Sequence, residues 1–182
     1  MRQYRRRYYG QVYFFTLVTH QRRRILTTSP ARSALRRAIT DVRDRYPFEL
    51  TAVVLLPDHL HAVITLPQGD TNYSTRLRRL KSVFTRQWRF ASGTEGAISP
   101  SRRRKGERGI WQRRFYEHAV RDEADLKRCV DYVHVNPLKH NLVEHVCDWP
   151  WSSFHRYMRS GEYPADWGNA SHWYGDEFRH AE

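Results

Sequence analysis

Residues 48–66 read FELTAVVLLPDHLHAVITL, and this stretch decides the fold. Two runs rich in Val, Ile and Leu flank Pro57 and Asp58. Each run has the length and β-branched content of a buried strand, over 48–56 and 59–66, and the Pro-Asp pair can only break between them. A connection this short makes the strands antiparallel neighbours, since parallel ones need a crossover of a dozen or more residues. Working outward, 11–19 (QVYFFTLVT) is a further strand. Residues 30–46 form a helix, with Ser29 as its cap, Pro30 in its first turn and a stripe of Leu35, Ile39 and Val42. A turn at 67–70 leads to a second helix over 74–90, in which Leu77, Leu80, Phe84 and Trp88 recur at helical spacing. The segment 110–120 supplies another strand. Asp122 opens a third helix, which should end near Asn136 because Pro137 disfavours helix in the residue before it. The order β-α-β-β-α-β-α, with one tight connection, predicts an α+β fold: a ferredoxin-like split-βαβ antiparallel sheet with helices on one face.

The chain has 182 residues, enough for one domain over 1–182. Its formal net charge is +13, with 40% hydrophobic and 14% aromatic residues. That content supports a core and excludes a disordered basic tail. No run approaches the roughly 18 apolar residues of a membrane span, and the N-terminus lacks the apolar region of a secretory signal. Two cysteines, Cys129 and Cys147, are too few for a disulfide framework, so a reducing cytoplasmic location, with nucleoid association, is expected. Arginines cluster at 5–7, 22–24, 76–79 and 102–104. Their planar fork suits phosphate, and a nucleic-acid partner is expected ahead of an anionic membrane. The segment 92–109, Gly-, Ser- and Arg-rich, reads as a mobile basic loop, and 160–182 as an irregular tail.

Two features carry chemistry. Side chains two apart on a strand share a face, so His59 and His61 point one way while Leu60, Ala62 and Ile64 point the other. Imidazoles about 7 Å apart along a strand can converge on one divalent cation. Alternatively they are hydrogen-bonded core histidines. Asp58 either accepts from an imidazole N–H or serves only the turn, and the turn is the simpler reading. On the third helix Tyr132 and Asn136 are four residues apart and share a side, at the rim of the stripe of Leu126, Cys129, Val130 and Val133. A phenol ordinarily titrates near 10 and is a poor nucleophile. A cation that polarises a phosphodiester would make it useful, with Asn136 completing the ligand set. His134 faces away from Tyr132 and belongs to the core or the surface. Trp149 and Trp151 read as packing anchors.

The His59–Leu60–His61 signature with Tyr132 and Asn136 resembles the single-tyrosine HUH transposases. YRRRYYGQVYFFTLVT (4–19), ELTAVVLLPDHLHAVITLP (49–67), WQRRFYEHAVRDEADL (111–126), VDYVHVNPLKHNLV (130–143) and DWPWSSFHRY (148–157) together resemble the REP-associated tyrosine transposases. The resemblance implies cleavage and joining of single-stranded DNA beside a palindromic hairpin. Tyr132 would be the nucleophile, forming a 5′-phosphotyrosine link and freeing a 3′-hydroxyl. His59, His61 and Asn136 would be ligands of Mg²⁺ or Mn²⁺; insertion-sequence relatives usually carry Gln in place of Asn136. It also implies a monomer, with a dimer as the alternative. Candidate DNA contacts are Tyr4, Arg5, Arg6, Arg7, Arg76, Arg78, Arg79 and Lys81. Two other readings stay open: a hairpin-binding module without chemistry, and a metal-dependent nuclease using water.

Overall fold

The computed structural model describes residues 11–168. Strands β1 (Val12–Val18), β2 (Glu49–Leu55), β3 (His59–Thr65) and β4 (Tyr116–Ala119) form one sheet in the order β2-β3-β1-β4, every pair antiparallel. The tight connection at Pro57 and Asp58 lets β3 pair back on β2, and the crossover through helix α1 (Ser29–Arg45) leaves a slot between β1 and β2 that β3 fills. The expected α+β antiparallel sheet is therefore present.

The expectation of helices on one face is corrected. All seven residues of β1 are buried, so both sides of the sheet need cover. On one side Tyr13, Phe15, Leu17, Leu60, Ala62 and Ile64 pack under α1 and α2 (Tyr73–Phe90). On the other, Val12, Phe14, Val54 and Val63 pack under Leu126, Cys129, Val130, Tyr132 and Val133. Those five residues belong to a later helix, Glu123–Lys139. The second core lies under this helix, and so does the site.

Other boundaries also moved. Thr28, not Ser29, occupies the cap position of α1, without a side-chain cap bond, and Pro30 falls in the first turn. The loop at 92–109 is built rather than featureless. Ser99 caps a short helix, α3 (Pro100–Arg104), accepting from Arg102 N–H, with Pro100 in its first turn. Arg23 and the Trp88 indole each donate to the Thr94 carbonyl at 3.0 Å, and Gly96 N–H donates to Gly109 O at 2.9 Å. Gly109 has φ +62°, and a Cβ there would stand 2.3 Å from Gly96 O, so only glycine permits this approach.

The Glu123–Lys139 helix, α4, opens as expected: Asp122 accepts from Asp125 N–H. It does not stop before Pro137 but runs through it to Lys139. Proline removes its own bond to the preceding turn and crowds the carbonyl there, a cost that the bonds formed beyond it offset. The final turn is held by His140 N–H to Asn136 O at 3.1 Å and Leu142 N–H to Pro137 O at 2.9 Å. Beyond it the Trp149 indole donates to Leu55 O at 2.9 Å, confirming Trp149 as a packing anchor, and α5 (Phe154–Arg159) follows. Among the described residues no helix is long and apolar enough to cross a membrane.

Candidate active site

β3 presents His59 and His61 on the α4 side of the sheet, both buried. Strand geometry alone would leave them about 7 Å apart, but the rings converge, with centroids at 4.8 Å. Each is oriented through Nδ1. His61 Nδ1 meets Thr16 Oγ1 of β1 at 2.8 Å. His59 Nδ1 donates to Asp58 Oδ1 at 2.7 Å, so that in the neutral ring Nε2 carries the lone pair. Asp58 thus holds an imidazole as well as serving the turn, and the simpler reading is corrected. Burial pushes the Asp58 carboxyl up, but His59 and Arg22 outweigh it and hold the group down at about 2.

Tyr132, Asn136 and His140 follow at four-residue steps and so form one line along the end of α4. Tyr132 meets the His61 ring edge-on at 5.3 Å, and His140 meets the His59 ring at 4.9 Å. Asn136 stands between these two contacts. It is fully buried, and neither its Oδ1 nor its Nδ2 has a hydrogen-bond partner; His59 Nε2 has none either. Buried polar atoms are nearly always satisfied. An imidazole nitrogen and an amide oxygen left open on one seam fit a divalent cation. Tyr132 lies not at a rim but fully buried, and Lys139 Nζ donates to its Oη at 3.1 Å.

His118, Asp125 and Cys129 bring ligand atoms within 4.8 Å of one another. The Asp125 carboxylate already accepts from Arg121 N–H and Nε, both at 3.0 Å, and from His118 at 2.9 Å. The guanidinium at that carboxylate opposes a cation, so this group fits a metal less well. His134 is a core residue: Nε2 meets Ser153 Oγ at 2.8 Å, and burial, helped by Arg156, pushes its pKa down to about 3.

The expected DNA contacts divide. Tyr4, Arg5, Arg6 and Arg7 lie outside the described residues. Arg76 is corrected to a structural role: it is buried, bonding Asp70 and the carbonyls of Tyr46, Pro47 and Asn72. Arg79 is held by both oxygens of Asp41. Lys81 donates to Gln112 O at 2.9 Å, and burial pushes its pKa down to about 8. Arg78 is exposed. It lines, with Lys81, a groove of about 520 Å³ between α2 and residues 106–113, to which Arg86, Arg89, Arg108 and Arg113 add charge. Sequence reading missed the last four because they are scattered rather than clustered. A smaller hollow, about 180 Å³, is lined by Arg22, Arg24, His59 and His140. Also missed were Thr16, unremarkable in an apolar strand, and Lys139, placed beyond the expected helix end.

This fold, with two imidazoles facing a tyrosine on the covering helix, defines the class of tyrosine transposases. The chain belongs to the IS200-like transposase family, whose description matches residues 7–136, and within it to the REP-associated tyrosine transposases. An Escherichia coli REP-associated tyrosine transposase is 42% identical over 168 residues, covering 92% of this chain and 91% of its own. A Haemophilus influenzae relative is 43% identical over 159 residues, covering 87% and 88%. A solved REP-associated tyrosine transposase, bound to a REP hairpin, is 40% identical, covers 96% of each chain and superposes with a TM-score of 0.72. The family makes this chain a DNA transesterification enzyme and implies a divalent metal.

Proposed function

We propose that this chain cleaves and rejoins single-stranded DNA beside a folded palindromic hairpin, with Tyr132 Oη attacking the scissile phosphodiester. One observation carries the reading: Tyr132 and Asn136 on α4 lie against the imidazoles of β3, with the Asn136 amide buried and unsatisfied. The Oη–P bond forms as the P–O3′ bond breaks, giving a 5′-phosphotyrosine and a free 3′-hydroxyl. The number of ester bonds is conserved, so rejoining needs no nucleotide triphosphate, and the sequence carries no P-loop.

Mg²⁺ or Mn²⁺, held by His59, His61 and the Asn136 amide oxygen, supplies Lewis-acid polarisation of the phosphate when bound. Asp58 and Thr16 hold the two imidazoles by Nδ1 and keep Nε2 for ligation. Arg22, Arg24 and His140, around the hollow beside His59, bind the phosphates that flank the cleaved bond. The basic groove along α2 grips the hairpin backbone, its arginines carrying contacts that do not depend on sequence. All four central residues come from one chain, so a monomer suffices.

The test is a labelled hairpin oligonucleotide incubated with Mg²⁺ or Mn²⁺. An adduct that survives denaturation should form, and chelator or Tyr132→Phe should abolish it. An adduct that persists in Tyr132→Phe places the nucleophile elsewhere; cleavage without adduct makes water the nucleophile; tight binding without cleavage makes the chain a binding module.

A further inference from the structure

We infer that Lys139 is a catalytic residue acting on the attacking oxygen itself, an inference that rests on Tyr132 being the nucleophile. Lys139 is the last residue of α4, and as a residue it is exposed. Its side chain folds back over Tyr132, with Nζ 3.1 Å from Oη and 4.9 Å from the ring centroid. A solvated lysine keeps rotamer freedom that this arrangement gives up. The placement is a product of the helix running through Pro137. Seven residues are close to two turns, so Lys139 comes to stand on the Tyr132 side.

An ammonium is a donor only, so the phenol oxygen is the acceptor in this contact. In cleavage Oη forms its bond to phosphorus and gives its proton to water, while the departing O3′ takes a proton from water. In rejoining the sequence reverses, and Oη leaves as the 3′-hydroxyl attacks. Negative charge appears on Oη in both directions. A fixed positive charge at hydrogen-bond distance stabilises that charge without surrendering its own proton. Asn136 and the two imidazoles serve the phosphate side of the reaction. Lys139 serves the nucleophile.

The experiment is single-turnover adduct formation and rejoining on a labelled hairpin oligonucleotide by wild type, Lys139→Met, Lys139→Arg and Tyr132→Phe. Methionine keeps the apolar stem over the ring and removes the charge. Lys139→Met should slow both directions by the same factor, on the order of 10- to 100-fold. Hairpin affinity, melting temperature and the half-saturating Mg²⁺ concentration should stay at wild-type values, and Lys139→Arg should recover part of the rate. A wild-type rate in Lys139→Met overturns the inference. So does a slowdown matched by weaker hairpin binding or by a higher Mg²⁺ requirement. Loss of the adduct in Tyr132→Phe beside an undiminished Lys139→Met strikes this inference alone. An adduct in Tyr132→Phe strikes both it and the reading of the nucleophile.

Discussion

The imidazole of His61 and the phenol ring of Tyr132 meet edge-on, 5.3 Å between centroids, across the seam where β3 lies beneath α4. Seventy-one positions of sequence separate them, and the second core of the fold brings them together.

Asn136 weakens this seam. A buried amide without partners costs about 1–3 kcal/mol. Asn136→Leu, which keeps the same branched side-chain skeleton, should therefore raise unfolding stability by about 1–2 kcal/mol in the presence of chelator while abolishing adduct formation and weakening Mn²⁺ binding. Urea denaturation and calorimetric titration read the two halves. A loss of stability would mean that the amide is satisfied in solution.

Arg76 stabilises the fold, its guanidinium committed to Asp70 and three backbone carbonyls. Arg76→Met strands the Asp70 carboxylate and three backbone carbonyls. Stability should fall by about 2–3 kcal/mol, below the usual figure for a broken buried pair because Asp70 is partly exposed. Hairpin affinity measured below the melting temperature should keep its wild-type salt dependence; a shallower slope would return Arg76 to the DNA contacts.

The groove along α2 should behave in the opposite way. Each phosphate contact removed lowers the slope of log affinity against log salt by about one. Arg108→Gln with Arg113→Gln should weaken hairpin binding, with a correspondingly shallower slope, and leave the cleavage rate at saturating DNA unchanged. Unaltered binding would move the hairpin to another face.

Acid should loosen the start of α4. Burial would raise the Asp125 carboxyl, but hydrogen bonds from Arg121 and His118 outweigh it and hold the group well below the usual carboxylate range. A carboxyl depressed in the folded state adds stability above its unfolded value, about 3.9, and loses that contribution as pH falls toward its folded one. Asp125→Asn should thus be clearly less stable than wild type at pH 7, with the gap narrowing from about pH 4 downward. A gap that holds constant to pH 2 would rule this linkage out.

The sheet and its pairing were legible because 48–66 packs two strands and a tight connection into one apolar stretch. That His59 shares a face with His61, and Tyr132 with Asn136, was legible because strand and helix periods fix which side chains stand together. Other features were not. Which sheet face α4 covers depends on the burial of all of β1, a tertiary demand that periodicity does not express. Arg76 looks like its basic neighbours, and only the fold turns it onto the backbone carbonyls of Tyr46 and Pro47. Lys139 was hidden by Pro137, because the local rule for helix ends was outweighed by bonds formed beyond it.

Helix α4 is held at its start through Asp125, and ten residues past its end the Trp149 indole donates to the Leu55 carbonyl. Leu55 closes the strand that leads straight into the Pro-Asp corner and His59. The indole therefore ties the segment that follows α4 to the last residue of the strand that leads into His59, an anchorage made well away from the residues that face one another across the seam.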